Sequence, residues 1–217
     1  MDDARAFFES EPIWEAAFHQ AWDSWRSGSL GIGSVVADAE GRIVARGRNR
    51  VLERAGSGRI AGTLLAHAEM NALADLDLAT GEGLCVYTTV EPCIMCLATM
   101  VAVRVPRVRY AAKDPVFDGL AGALAAHPFC VDRIPETTAL GVPVLCSVAA
   151  LWPMASRVWA RPGHPPRAEW LGSNGPIWDA AQDAVASGIL SQLVDSAAGM
   201  IDAVEALEPV LRRNGAL

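Results

Sequence analysis

The spacing of apolar residues predicts a helix and a pair of strands at the start of the chain. Residues 11–27 favour an amphipathic helix, because the apolar positions recur every three or four residues: Ile13, Ala17, Ala21 and Trp25. Residues 31–38 form a nearly continuous apolar run that is typical of a buried strand, and residues 42–49 follow after a short glycine turn. We expect these two strands to pair as a hairpin.

Helices and strands alternate after a glycine-containing loop at residues 50–62. The pattern predicts helices over residues 63–76, from Pro92 to about 103, and 118–126. It predicts strands over residues 84–89, 105–112 and 142–147. The long segment 113–141 leaves room for a parallel crossover between the last two strands. This order of elements predicts a layered α/β domain that ends near residue 148.

The last third of the chain has a different pattern. Residues 161–176 are rich in proline and glycine, which favours a loop. Residues 190–212 predict one amphipathic helix with a single apolar stripe: Leu190, Leu193, Val194, Ala197, Ile201, Val204, Leu207 and Leu211. A tail of about 70 residues is short for an independent core. We therefore divide the chain into a domain over residues 1–150 and an extension over residues 151–217 that packs on this domain or on a partner subunit.

Composition and charge narrow the class of protein. The chain has 217 residues, is 52% hydrophobic and 20% charged, and carries a formal net charge of -7. These values predict a globular protein, and the acidic balance argues mildly against a nucleic-acid partner. The N-terminal residues do not form a signal peptide and no apolar run is long enough to span a bilayer, so we expect a cytoplasmic protein without membrane contact.

Two short motifs carry the chemistry. His67 and Glu69 are two residues apart, and Pro92 precedes Cys93 and Cys96 in a second motif. Cysteines three apart point to one side of a helix, and a helix N-terminus favours the thiolate form. One imidazole and two thiolates leave the fourth tetrahedral position of a Zn²⁺ ion open for water, which is the catalytic pattern. Glu69 is then placed to move a proton at that water without being a ligand.

Other uses of a Cys-x-x-Cys pair fit the sequence less well. A structural zinc site needs four protein ligands, and the remaining cysteines are isolated: Cys85, Cys130 and Cys146. A redox pair leaves His67 and Glu69 without a role. An odd number of cysteines, five, also favours reduced thiols or metal ligands over a disulfide framework.

The sequence around these motifs resembles the cytidine/deoxycytidylate deaminase superfamily, and within it the branch of guanine, nucleoside and tRNA adenosine deaminases. The H-x-E…P-C-x-x-C pattern is the signature of zinc nucleobase deaminases. The similarity covers roughly residues 12–148 and lies in four stretches: residues 48–50, 66–73, 87–95 and, more weakly, 110–114. The resemblance implies a three-layer α/β/α fold with a five-stranded mixed sheet, two motif helices side by side, bound Zn²⁺ and a homodimer.

The same resemblance implies three substrate contacts: the side chains of Asn49 and Asp114 and the backbone of Ala68. Alternation along strand 42–49 independently puts Asn49 on the apolar face, opposite the arginines, where a polar side chain needs a partner. A turn-forming asparagine at the strand end is the alternative. Asp114 is equally consistent with a helix N-cap, and Glu91 is expected to brace its loop rather than to touch substrate.

The identity of the substrate is the least determined feature. We expect a small purine-like nucleobase or nucleoside that loses an exocyclic amine as ammonia. A tRNA wobble adenosine deaminase is the alternative, favoured by His127-Pro128 and by an arginine cluster that Glu53 partly offsets: Arg42, Arg46, Arg48, Arg50, Arg54 and Arg59. A cytidine-type deaminase and a catalytically silent scaffold are further alternatives, which we rank below these two. An intact Glu69 disfavours the scaffold.

The tail is also rich in tryptophan, at Trp152, Trp159, Trp170 and Trp178. Buried packing or a dimer contact explains such residues most simply. A sharper hypothesis is that one of them covers the substrate as part of a lid, which would exclude water from a small pocket.

Overall fold

Five strands form one mixed sheet in the computed structural model, which describes residues 4–57, 60–76, 81–161 and 163–217. The strands are β1 (Gly33–Ala37), β2 (Ile43–Arg48), β3 (Cys85–Val90), β4 (Arg107–Ala112) and β5 (Glu136–Ala139). The helices are α1 (Ala4–Ser10), α2 (Pro12–Arg26), α3 (Ala68–Ala74), α4 (Ile94–Val103), α5 (Leu120–Ala125), α6 (Pro143–Ala160), α7 (Ala168–Ala186), α8 (Ile189–Asp195) and α9 (Met200–Arg213). A short 3₁₀ helix spans Pro115–Phe117.

The strand order in the sheet is β2-β1-β3-β4-β5. The predicted hairpin is confirmed, because β1 and β2 pair antiparallel with Gly33 opposite Arg48. Strand β3 runs antiparallel to β1 and parallel to β4, and β4 is parallel to β5. The crossover between β4 and β5 carries α5, as the length of this segment predicts.

Helices cover both faces of the sheet. Val35 and Val36 are neighbours on β1 that face opposite sides, and both are fully buried. Val36 belongs to a core under α3 and α4, whereas Val35 belongs to a core under α2 and α6. The predicted three-layer α/β/α arrangement is therefore confirmed.

The C-terminal helices add a further layer over α2 and α6. Leu207 of α9 and Trp152 of α6 are fully buried in the same core as Phe18 of α2. The Trp22 indole N–H donates to the Ala198 carbonyl across this contact, at 3.0 Å. The expected boundary at residue 150 falls inside α6, which is one continuous helix. The division into residues 1–150 and 151–217 stays a prediction, and none of the described helices is long and apolar enough to cross a bilayer.

The predicted fifth strand at residues 142–147 is wrong, because these residues begin α6. A short apolar run fits a buried helix as well as a buried strand, and Pro143 occupies a first-turn position that tolerates proline. The actual fifth strand, Glu136–Ala139, is exposed along its whole length. Its polar, threonine-containing sequence lacks the apolar signal on which the prediction relied, since it lies at the edge of the sheet.

Helix α3 begins later than predicted, the predicted helix over residues 190–212 is divided in two, and helices α1 and α7 were not anticipated. Helix α3 begins at Ala68 rather than near residue 63, because residues 63–66 form a turn in which the Thr63 hydroxyl accepts from the Leu65 N–H. Helix α7 begins inside the predicted loop, with a kink at Asn174. The predicted helix over residues 190–212 is two helices, because Ala197 adopts a left-handed backbone with φ of 55°.

Candidate active site

Two helix N-termini bring the predicted metal ligands together. His67 is the N-cap of α3, Cys93 is the N-cap of α4, and Cys96 lies in the first turn of α4. His67 Nδ1 lies 3.6 Å from Cys93 Sγ and 3.5 Å from Cys96 Sγ, and the two sulfur atoms are 3.7 Å apart. These three side chains form the one cluster of metal-ligating type found in the described residues.

The separations fit one tetrahedral zinc ion. With Zn–S bonds near 2.3 Å and Zn–N bonds near 2.0–2.1 Å, tetrahedral angles require about 3.8 Å between two thiolates and about 3.6 Å between thiolate and imidazole. The observed distances match both values. Three protein ligands leave a fourth position, which distinguishes this arrangement from a closed structural site.

The ionisation of the cluster favours metal binding. The Cys96 thiol donates towards Cys93 and, together with His67, lowers the pKa of the Cys93 thiol to about 4. The Cys93 sulfur in turn raises the pKa of His67, and the same contact with burial raises the pKa of Cys96. The lowered pKa favours the thiolate form of Cys93, and a bound divalent cation favours deprotonation of both thiols.

Glu69 lies beside the sulfur atoms in the first turn of α3 and is only 4% exposed. Its Oε2 is 3.5 Å from Cys96 Sγ, and its Oε1 accepts a hydrogen bond of 3.2 Å from the Thr88 hydroxyl. Burial raises the pKa of this carboxyl group. A carboxyl group that is protonated more readily than usual is suited to take up and release a proton.

Close backbone packing places α3 against β2. A Cβ atom on Gly47 would overlap the carbonyl oxygen of Ala68 and the backbone nitrogen of Ala72. The Asn71 side chain bridges the two elements by donating to the carbonyl oxygens of Arg48 and His67, at 3.3 and 3.1 Å. The end of β2 is therefore held against the segment that carries His67.

Asn49 follows β2 and lies in this packed region, on the covered face that alternation predicts. It is 1% exposed, and its neighbour Arg50 donates its backbone N–H to the carbonyl of Ala66. Its Oδ1 accepts from the Ser29 hydroxyl at 2.8 Å and from the Val51 N–H at 3.1 Å. Within the described residues, its Nδ2 has no hydrogen-bond partner. A contact of this amide with substrate stays a prediction.

Asp114 and Ala68 occupy different surroundings. Asp114 is the N-cap of the 3₁₀ helix, and its carboxylate accepts from the Val116 N–H at 3.1 Å. Glu91 braces this loop by accepting the Asp114 N–H at 3.0 Å. Burial, together with the charge of Cys93, raises the pKa of Asp114. Ala68 is fully buried at the start of α3. Their substrate roles stay predictions, and for Asp114 the capping role is observed directly.

Some residues around the site were missed at the level of sequence. Thr88 reaches Glu69 from β3, but threonine is so common in strands that its position gives no signal. Ser24 and Ser29 are buried beside Asn49, and the Ser24 hydroxyl donates to the Asn49 carbonyl at 2.8 Å. Trp159 stacks on Trp25 and lines a cavity of about 240 Å³ beside Ser29. Whether it covers a substrate stays a prediction.

Three of the arginines near Asn49 lie beside carboxylates: Arg42, Arg48 and Arg50. Arg48 pairs with Glu53 through both carboxylate oxygens, and Arg50 lies 3.8 Å from the same group. Arg42 pairs with Asp38 at 2.7 Å and with Glu40 at 3.3 Å. The sequence offered Glu53 alone as a counter-charge, so the cationic character of this surface is lower than the arginine count indicates; Arg59 lies outside the described residues.

Comparison with known proteins agrees with this site. Residues 9–112 match the family model of the cytidine and deoxycytidylate deaminase zinc-binding region. The chain is 30% identical to tRNA-specific adenosine deaminase 2 of Xenopus tropicalis over 126 residues, which cover 56% of this chain and 71% of that protein.

Two solved structures share the fold. One comes from a study of A-to-I editing by tRNA:A34 deaminases, with a TM-score of 0.50, 25% identity, and coverage of 60% of this chain and 98% of that one. The other is NE0047 bound to 2,6-diaminopurine, with a TM-score of 0.52, 20% identity, and coverage of 73% and 85%.

Fold and site together define a zinc-dependent hydrolytic deaminase. The chain belongs to the cytidine and deoxycytidylate deaminase family. The cofactor of this family, Zn²⁺, agrees with the donor set of His67, Cys93 and Cys96.

Proposed function

We propose that this enzyme deaminates a small purine-like nucleobase or nucleoside and releases ammonia. His67, Cys93 and Cys96 would hold the zinc ion, since their donor atoms have the required separations. Zinc supplies Lewis acidity, which makes a water molecule acidic enough to lose a proton near neutral pH. Glu69 takes up that proton and delivers it to the ring nitrogen while the water oxygen bonds to the carbon that bears the amine. The second proton of the same water then passes through Glu69 to the amine, and the C–N bond breaks to release ammonia.

The pairing of the arginines carries the choice of a small substrate. An RNA-binding surface needs cationic side chains that are free to neutralise phosphates. Here Arg42, Arg48 and Arg50 already face carboxylates, and the net charge of the chain is -7. A small neutral substrate needs no such surface. Asn49, the Ala68 backbone and Asp114 would contact its ring or sugar.

The experiment is a screen for ammonia release by the zinc-loaded protein. The panel contains guanine, adenine, cytosine, their nucleosides and nucleotides, and tRNA transcripts, each across a salt series. We expect turnover of a purine base or nucleoside with kcat/KM nearly independent of salt. Cys93→Ser is the control, because it should lose both the metal and the activity.

The tRNA adenosine deaminase activity is the second candidate, and the similarity to tRNA-specific adenosine deaminase 2 of Xenopus tropicalis favours it. It predicts the opposite salt dependence, because each neutralised phosphate releases counterions as RNA binds. Inosine formation in tRNA that falls steeply with salt, without activity on free bases or nucleosides, would replace the small-substrate proposal by this one.

A homodimer is also proposed. Large apolar side chains are exposed next to both zinc motifs: Leu64 is 81% exposed, Leu65 55% and Ile94 53%. Exposed apolar side chains near a functional motif are often found at protein interfaces. Sedimentation velocity should give twice the chain mass, and a monomer at micromolar concentration would contradict the proposal.

A further inference from the structure

A buried cluster of hydroxyl groups surrounds Asn49. Ser24 lies on α2, Ser29 in the following loop and Ser156 on α6, and all three are buried. The Ser29 hydroxyl donates to Asn49 Oδ1, and the Ser24 hydroxyl donates to the Asn49 carbonyl. The Ser156 hydroxyl donates to the Ser29 carbonyl at 2.9 Å. Asn49 is thus tied to two helices that do not carry the zinc motifs.

This cluster fixes which end of the Asn49 amide faces which neighbour. The two ends of a carboxamide have similar shape, so the hydrogen-bond partners decide their assignment. The Val51 backbone N–H is a donor only, so the amide atom that it contacts at 3.1 Å must be the oxygen. Ser29 completes the coordination of the same oxygen at 2.8 Å. The amide nitrogen therefore points away from both groups.

That nitrogen, Nδ2, is buried and lacks a hydrogen-bond partner among the residues that the structure describes. A buried donor without a partner costs free energy in the folded protein. The Ser29 hydroxyl and the Val51 N–H nevertheless hold the Asn49 amide in this orientation through its oxygen. Such an arrangement is expected where the missing partner comes from a ligand.

We propose that Ser29 is a positioning residue that holds the Asn49 side chain with its NH₂ group presented to a hydrogen-bond acceptor of the substrate. This inference rests on the proposed function and adds a property of the substrate. Because Oδ1 is occupied and only N–H groups are free, the matching substrate atom is a ring nitrogen, a carbonyl oxygen or a hydroxyl oxygen. A substrate with a C–H or N–H group at the position that faces Asn49 Nδ2 would leave this NH₂ group without a hydrogen-bond acceptor.

Helix α6 takes part in this arrangement through Ser156. Its hydrogen bond to the Ser29 carbonyl holds the loop that presents the Ser29 hydroxyl. The Leu52 N–H lies 3.4 Å from the Ser29 hydroxyl oxygen. This oxygen therefore accepts a hydrogen bond from the protein, while its own proton is donated to Asn49. The helical extension after the sheet is thereby linked to a substrate contact.

The first test observes the amide itself in the zinc-loaded protein. The chain is labelled with ¹⁵N-asparagine, and the Asn49 NH₂ signal is identified by its loss in Asn49→Asp. Ser29→Ala should accelerate the solvent exchange of these amide protons about fivefold, as expected for the loss of one hydrogen bond of about 1 kcal/mol. Ser24→Ala is the matched control, because it removes an equally buried serine that contacts Asn49 through the backbone carbonyl and not through the amide. The Ser24 hydroxyl oxygen also accepts the Gly31 N–H.

The expected result is acceleration in Ser29→Ala and exchange within about twofold of wild type in Ser24→Ala. Unchanged exchange in Ser29→Ala overturns the proposal, and so does equal acceleration in both variants, since that indicates general loosening. Both serine variants should bind one zinc ion per chain and unfold cooperatively.

The second test measures the acceptor on the ligand. Guanine, 3-deazaguanine and 7-deazaguanine are titrated into the Glu69→Gln protein, which should bind without turnover. We expect one deaza analogue to bind about tenfold more weakly than guanine, and this ratio to fall to about twofold when Ser29→Ala is added. The Ser24→Ala addition should keep the ratio.

The two ways of failing are distinguishable. Binding of guanine and both analogues that is equal and is also unaffected by Ser29→Ala overturns the assigned role of the Asn49 NH₂ group. Absence of guanine binding, together with no ammonia release by wild-type enzyme from any base or nucleoside, contradicts the proposed function instead. The exchange measurement still decides the role of Ser29 in that case.

Discussion

At the scale of single residues, the site combines a buried carboxyl group with two sulfur atoms. Glu69 is nearly inaccessible, and burial raises its pKa. The Thr88 hydroxyl holds one carboxyl oxygen, and the other faces Cys96. The metal-ligating cluster consists of His67, Cys93 and Cys96. Glu69 is therefore a proton acceptor that lies beside this cluster but is not one of its ligands.

The first prediction follows from this separation of roles. Glu69→Gln should retain the zinc ion and the fold, because neither depends on a charge at this position. Turnover should fall by about 10²- to 10⁴-fold, the usual contribution of a general acid–base group. Zinc content, thermal unfolding and ammonia release of the variant are compared with wild type. Substantial activity in a fully metallated variant would show that another group moves the proton.

At the scale of elements, the contact between β2 and α3 decides where His67 and Glu69 lie. Gly47 permits this contact, because a Cβ atom at that position would overlap the backbone of α3 at Ala68 and Ala72. Backbone atoms cannot move aside as a flexible side chain can. Gly47 therefore links the pairing register of β2 to the position of the helix that carries His67 and Glu69.

Gly47→Ala should consequently weaken zinc binding and lower stability by about 1–3 kcal/mol, the usual cost of overpacking. Gly122→Ala is the matched control, since Gly122 lies on α5 with open space around its Cα and a helix-compatible backbone. We expect that control to be neutral or slightly stabilising. Zinc affinity by competition with a chelator, measured alongside urea unfolding, checks both. Wild-type affinity in Gly47→Ala would contradict the coupling.

Helices α7 and α9 are joined by a polar contact whose strength depends on pH. Asp183 accepts from Asn214 at 3.1 Å and from Arg213 at 2.9 Å, and these partners lower the pKa of its carboxyl group below 3.8. A lowered folded-state pKa contributes stability above the unfolded value, and this contribution is lost as the pH falls through the folded value.

Asp183→Asn should therefore lower stability at pH 7 by at most about 1 kcal/mol, because the contact is partly exposed to solvent. The difference from wild type should persist at pH 5 and shrink as the pH falls through the lowered pKa of the folded-state carboxyl group, where the wild-type carboxylate becomes protonated. Thermal unfolding of both proteins at pH 7, 5 and 3 measures this. A difference that grows towards low pH would be inconsistent with the proposed charge contact.

At the scale of the whole molecule, the helices beyond the sheet are part of one core. Leu207 of α9, Trp152 of α6 and Phe8 of α1 are fully buried together with residues of α2 and β1. An outer layer built on a shared core should unfold with the layer beneath it. The zinc motif lies on the opposite side of the sheet, against the second core.

Leu207→Ala should lower the stability of the whole chain by about 2–5 kcal/mol, through lost burial and the cavity left behind. Tryptophan fluorescence and zinc release should still change together during unfolding, and kcat should stay unchanged because the site is across the sheet. Val131→Ala, at a position that is 55% exposed, is the control and should have little effect. Separate transitions for the two probes would mean that the outer helices unfold independently.

The sequence by itself determined the chemistry of this protein and the inner part of its fold. His67, Glu69, Cys93 and Cys96 lie within short stretches, so that local helix geometry brings each motif into position. The hairpin was readable because a continuous apolar run, β1, is followed after a glycine turn by β2, in which buried and more exposed residues alternate. These features depend on neighbours in the chain, which a sequence displays directly.

Only the tertiary structure decided the features that depend on distant partners. The run at residues 142–147 is helical because it packs under α2 and the outer layer, and the polar segment Glu136–Ala139 is a strand because it pairs with the free edge of β4. The orientation of the Asn49 amide by Ser29 is of the same kind. The arginines pair with carboxylates that are near in sequence, at Asp38, Glu40 and Glu53, but the fold sets which of them meet. Whether a charge is neutralised or an amide is oriented depends on the groups that folding brings beside it.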